Sequence, residues 1–236
     1  MTEFPAALPH GTIEEITADV FWVQGTVQVS SKVRLTRNMT IIREGKDLTL
    51  VSAVRLSPEG EAELAKLGTV RHVVKIGHAH GMDDAYYLDR FGATYWALPG
   101  GARATDPSPD KELGPNSLPL KDAELFEFQI PIEKEGALLI KRDGGILVTC
   151  DSVQNWVNTK GCSFPAKIFL RLSGFTRRAA QIGPIWRKKL TPEGKTMRPD
   201  FDRLLELEFR HLIGGHGQPL IGSAKKALNA TVKATF

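Results

Sequence analysis

The sequence predicts an α/β protein in which two sheets stack and each is covered by helices on its outer face. Three observations carry that expectation. The first third reads as short strands rich in β-branched and aromatic residues, joined by hairpin-length turns. The middle switches to strand, loop, helix, strand within about thirty residues, the rhythm of a βαβ unit. Strands then resume, and the last third is mainly helical.

Residues 20–29 (VFWVQGTVQV), 39–43 (MTIIR) and 48–54 (LTLVSAV) are expected to form an antiparallel meander, with a turn at Glu44-Gly45-Lys46-Asp47. Ser57-Pro58-Glu59-Gly60-Glu61 is a helix start: Ser57 is an N-cap, Pro58 takes the first helical position, and acids fill the first turn. Gly68 ends that helix. A strand at 72–76 (HVVKI), a helix at Asp84–Phe91 and a strand at 94–98 (TYWAL) follow. The stretch 99–119 is dense in Pro and Gly and reads as a long functional or mobile loop. Further strands are expected at 124–130, 137–142 and 145–150, with a hairpin turn at Asp143-Gly144. Helices are expected at 165–172 and 201–209, a strand at His211–Ile213, and a terminal helix from Ser223.

The chain has 236 residues, 42% apolar and 25% charged, which suits one domain over residues 1–236 with a sizeable core. A net charge of +4 favours an anionic small-molecule partner and falls short of a nucleic-acid-binding surface. Two cysteines, Cys150 and Cys162, make no disulfide framework, so a reducing cytoplasm is the expected setting. Residues 1–19 lack Lys, Arg and any apolar run, so no secretory signal is expected. No stretch approaches the roughly 20 apolar residues of a membrane span, so no membrane partner is expected.

Candidate chemistry gathers where strands end. His78 and His80 lie in Gly77-His78-Ala79-His80-Gly81-Met82-Asp83-Asp84, just past the strand HVVKI. Asp151 follows the strand GILVTC, and His216 sits in Gly214-Gly215-His216-Gly217 after another apolar strand. Crevices of α/β sheets form at the carboxyl ends of strands. Neutral imidazole is the commonest metal ligand, and a carboxylate adds a hard donor. The four side chains therefore form a candidate metal site. Asp151 has an equally good second use, as N-cap of a helix starting near Ser152. His72 and His211 are expected to pack at strand starts, and His10 to lie in a frayed terminus. Cys150 should alternate to the face opposite Asp151 as a small buried residue.

The order of HxH after a strand, a strand-terminal Asp and a late GHG resembles the metallo-β-lactamase superfamily, as does the opening FWVQGTV. The resemblance runs from about Asp19 to the last helix and is closest to a DUF4336-like branch whose members often have incomplete metal motifs. It implies a four-layer αββα sandwich with one or two divalent ions at one rim, zinc first, then iron or manganese. It also implies a hydrolase in which metal-bound water attacks an ester, amide or phosphoester. His78 and His80 match the first two ligands of the HxHxDH motif, Asp151 the bridging carboxylate and His216 the last histidine.

Two departures stand out. Met82 falls at the motif's Asp unless one residue is inserted, in which case Asp83 and Asp84 align as an extra ligand or general base. No histidine lies between His80 and His211, and the 99–119 loop offers only Asp106 and Asp110 instead. A lapsed member that binds a small anion or a partner is the alternative expectation. A third is a nucleic-acid binder using the basic stretch that includes Lys160, Lys167, Arg171, Arg177 and Arg178. The modest charge and lack of aromatic–basic interleaving weaken it. Trp156, Phe175 and Trp186 read as core.

Overall fold

A computed structural model describes residues 4–236. Its first sheet begins with the antiparallel meander β1 (Glu14–Thr17), β2 (Val20–Ser30), β3 (Val33–Glu44) and β4 (Asp47–Val51). The next strand must run parallel to β4, and a parallel connection needs a crossover. Helix α1 (Pro58–Leu67) supplies it and leads to β5 (Thr69–Lys75); α2 (Asp84–Phe91) then leads to β6 (Thr94–Ala97). β7 (Lys111–Glu112), inside the Pro/Gly-rich stretch, closes the seven-stranded order β1-β2-β3-β4-β5-β6-β7.

The second sheet is built from β8 (Ala123–Glu127), β9 (Gly136–Ile140) and β10 (Ile146–Thr149). A β11 (Val153–Gln154) and β12 (Gln181–Ile182) ribbon flanks α3 (Phe164–Leu172). Helices α4 (Pro184–Leu190) and α5 (Arg198–Leu204) precede β13 (His211–Ile213), which pairs parallel with β10, and α6 (Ala224–Thr235) ends the chain. The sheet order is β13-β10-β9-β8.

Strand alternation sorts the core into layers. Val20, Trp22, Ile42, Val74, Leu138, Ile140, Ile146 and Val148 meet between the sheets. The residues between them in sequence, Phe21, Ile41 and Val73, face α1 and α2 with Leu64 and Tyr87. On the far side Leu139, Leu147 and Leu212 pack against Phe201, Leu204, Leu228 and Val232. Opposite faces of both sheets are therefore apolar, so helices must cover the outside and the result is αββα.

Local chemistry sets the boundaries. Ser57 Oγ accepts the Gly60 N–H at 3.2 Å, and Pro58 opens α1. At the β9–β10 hairpin Asp143 and Gly144 both take positive φ, 47° and 78°, matching the primed turn expected of Asp-Gly.

Four expectations need correction. No helix follows Asp151: residues after it enter β11, whose pairing with β12 takes the backbone bonds a helix would need, so Asp151 is no N-cap. The helix expected at 201–209 spans Arg198–Leu204, because Leu207 and Phe209 reach the same core from an irregular segment. α4 was not expected; its seven residues are too few to show a helical period. His10 is not frayed, since its Nε2 accepts the Ser57 N–H at 2.8 Å and so caps the approach to α1.

Candidate metal centre

Three chain segments deliver the site. β5 ends at Lys75 and releases the loop carrying His78 and His80; β10 ends just before Asp151; β13 ends just before Gly214-Gly215-His216. The first lies in one sheet and the other two in the second, so the site sits where the two sheets meet at their rim.

Each loop is held by buried polar groups. Lys75, 1% exposed, donates from Nζ to the carbonyls of His78 (3.0 Å) and His80, and pairs with Asp106 at 2.9 Å. Gly81 at φ 114° fits beneath them, since a Cβ there would stand 2.8 Å from Asp84 Oδ2 and 2.9 Å from Lys75 Nζ. The GGHG loop is clamped by Asn38 on β3, whose Nδ2 donates to Gly214 O (2.8 Å) and Gly217 O (3.0 Å). Gly215 is also required, because a Cβ would lie 2.9 Å from both Cys150 O and the His80 ring.

The structure brings together His80, Asp151 and His216. His80 Nε2 lies 3.1 Å from His216 Nε2, and Asp151 Oδ1 lies 3.2 Å from His216 Nε2 and 3.7 Å from His80 Nε2. The 2.6 Å contact of His216 Nδ1 with the Thr36 carbonyl places a proton on Nδ1, because a carbonyl only accepts. That hydrogen bond directs Nε2 at the cluster, the outer-shell arrangement typical of a metal-ligating imidazole. Donor atoms about 2.0–2.2 Å from one tetrahedral ion stand roughly 3.3 Å apart. The three observed separations bracket that value, so these residues fit a divalent cation.

The electrostatics agree. Burial alone would raise the Asp151 carboxyl, but the charges and hydrogen bonds of His80 and His216 outweigh it and hold it well below the usual carboxylate range. Burial lowers His80. It opposes the charged form of His216 too, yet the hydrogen bond and charge of Asp151 win there, and His216 is raised. Asp151 is therefore a buried carboxylate held in its charged form between two imidazoles.

The other expected residues lie elsewhere. The His78 imidazole is about a third exposed and faces Glu133, 3.9 Å from its Oε1. Asp83 is ion-paired with Arg37 and accepts the Arg55 N–H at 2.6 Å. Asp84 is fully buried, with Tyr95 Oη donating to it at 3.1 Å. Asp106 is taken by Arg103 and Lys75, and Asp110 accepts the Tyr95 N–H at 2.8 Å.

Sequence reasoning missed four contributors. Cys150 Sγ falls in a group with His80 and Asp151 whose ligand atoms all lie within 4.8 Å of one another. Glu135, buried behind Asp151, accepts the Ser152 N–H and is pushed up by burial and by the Asp151 charge. Arg37 and Asn38 are buried polar residues in the middle of β3; two adjacent polar residues ahead of the apolar run MTII were the available signal.

No family model matches the sequence, and no curated protein does. Solved structures do match. The mono-zinc form of the metallo-β-lactamase FIM-1 from Pseudomonas aeruginosa is similar with a TM-score of 0.67 and 14% identity, covering 98% of this chain and 97% of that one. VMB-1, solved at pH 5.5, gives a TM-score of 0.67 at 13% identity over 94% and 96% of the two chains. A metallo-β-lactamase from Hirschia baltica gives 0.60 at 13% identity over 94% and 98%. The chain has the four-layer metallo-β-lactamase fold.

Proposed function

We propose that this chain is a metal-dependent hydrolase of the metallo-β-lactamase superfamily with a degenerate, mononuclear site, acting on an ester, amide or phosphoester of a small molecule. The observation that carries this reading is the convergence of His80 Nε2, His216 Nε2 and Asp151 Oδ1 within 3.1–3.7 Å. Zinc suits two imidazoles and a carboxylate best; iron or manganese is second. When bound there, a divalent ion supplies Lewis-acid activation of water and of a carbonyl or phosphoryl oxygen.

The chain's own residues do the rest. His80 and His216 present neutral nitrogens once Nε2 is free of its proton, and Asp151 supplies negative charge. Thr36 fixes the His216 ring, and Lys75 fixes the backbone beneath His80. Hydrolysis adds water oxygen to the acyl carbon or phosphorus, breaks the bond to the leaving oxygen or nitrogen, and passes a proton to the departing group. One ion rather than two suits the pairing here: a second ion would need Asp83 or Asp84, and Asp83 is neutralised by Arg37 while Asp84 is buried against Tyr95. The setting proposed is the cytoplasm, consistent with two free, buried cysteines. Among the described residues, no helix is long and apolar enough to cross a membrane.

One observation favours a second reading, a lapsed member that binds a small anion. The His80–His216 contact and the Asp151 ion pairs already form a closed network of their own. Metal titration followed by calorimetry and elemental analysis separates the two. We expect close to one equivalent of zinc for the native chain and a small fraction of that for His216→Ala and Asp151→Asn. Native protein that takes up no transition metal after repletion would leave only the lapsed reading.

A further inference from the structure

We infer that the substrate carries a neutral, medium-length hydrocarbon group on the acyl or phosphoryl centre that is cleaved; this rests on the hydrolase reading above. A cavity of about 620 Å³ opens on Asp151 and His216. Its wall is formed by Trp156, Phe175, Leu170 on α3, and Ile185 and Trp186 on α4. The apolar surface begins at the candidate ligand itself, because the Trp156 ring lies parallel to His216, 6.1 Å between centroids with an interplanar angle of 14°.

The polar groups nearest that floor are already used. Trp156 Nε1 donates to Gln154 Oε1 at 2.8 Å, and Gln154 Nε2 donates to Asp151 Oδ1 at 3.1 Å. A sugar or peptide would lose its hydration there and find few partners, whereas a hydrocarbon loses nothing by it. The Trp186 indole N–H is the exception, a buried donor without a partner. Away from the candidate ligands Asp151 and His216, the charged residues of the lining are Glu133 and Lys189, whose formal charges cancel, which suits a neutral group. Ile132 and Phe169 remain 66% and 45% exposed in the same lining, extending the apolar surface toward solvent.

Burying each methylene tightens binding roughly fourfold. The test uses the metal-free 236-residue chain and straight-chain primary alcohols from butanol to dodecanol, read by displacement of the neutral dye N-phenyl-1-naphthylamine. Affinity should climb about two- to fourfold per methylene and then level off as the cavity fills. Ile132→Asp and Phe169→Asp, at exposed positions where folding tolerates a charge, should each weaken dodecanol by about fivefold or more. Affinity independent of chain length, or unchanged in both variants, overturns the inference. Zinc uptake on the same samples keeps the two proposals apart. Zinc without chain-length dependence leaves the hydrolase reading and removes this one. Chain-length dependence without zinc keeps the apolar site and removes the hydrolase.

Discussion

At the scale of single residues, the buried charges around Lys75 contribute to the pH response. Lys75 is spent on Asp106, whose carboxyl is held down to about 2: burial would raise it, but Arg103 and Lys75 prevail. Asp84 is left with incomplete pairing, and burial, only partly offset by Lys75, pushes it up to about 6. Its Oδ1 has no partner, which fits a proton residing on that carboxyl. An acid with a raised folded-state pKa binds its proton more tightly when folded. Its contribution is therefore full below the unfolded value of about 4 and is lost as pH rises from there toward 6. Urea unfolding of the native chain and Asp84→Asn should show the difference. Relative to the variant, the native chain loses on the order of 2–3 kcal/mol between about pH 4 and 6. Parallel stability curves would show that Asp84 titrates normally. Lys75→Met leaves Asp106 with Arg103 alone and strips the carbonyls of the histidine loop of their donor, and should cost about 3 kcal/mol, read in the same unfolding series.

At the scale of elements, metal geometry depends on how closely the loops after β5, β10 and β13 approach one another. Gly215 is one point of close approach, with backbone on one side and the His80 ring on the other. Cys150 O cannot swing aside as a flexible side chain can. Gly215→Ala should therefore displace His80 or His216 and weaken zinc binding about ten- to hundredfold. Calorimetric titration measures this, with far-ultraviolet circular dichroism checking that the fold persists. Unchanged affinity would show that the two loops do not need this contact. The same scale explains which elements could be read in advance. α1 and α2 carry their punctuation in sequence, Ser57-Pro58 at one start and Gly92 at the other end, while α4 and β7 are too short for any period to show. The irregular path from Leu205 to Arg210 keeps helical spacing but breaks the helix, because core contacts of Leu207 and Phe209 outweigh propensity.

At the scale of the whole molecule, the candidate ligands join the two sheets: His80 comes from one, Asp151 and His216 from the other. A bound ion would tie the halves of the sandwich together at their rim. Ligand that binds only the folded state at a hundred times its Kd stabilises by about 2.7 kcal/mol. For a chain of this size that corresponds to a rise in Tm of roughly 5–10 °C. Scanning calorimetry with and without zinc should show it for the native chain and not for Asp151→Asn. Equal shifts in both would mean that zinc acts elsewhere.

The sequence by itself determined the layers, because the short apolar, β-branched runs of β2, β9 and β10 and the caps of α1 are local properties. It also determined that His80, Asp151 and His216 stand at strand ends. Only the tertiary structure decided which candidates come together. Whether Asp83 faces an ion or Arg37, whether His78 turns to Glu133, and whether Cys150 comes near His80 depend on partners in distant segments. Buried charges settle on whichever counter-charge is nearest in space, and that distance is written in the packing of two sheets rather than in the spacing of residues along one chain.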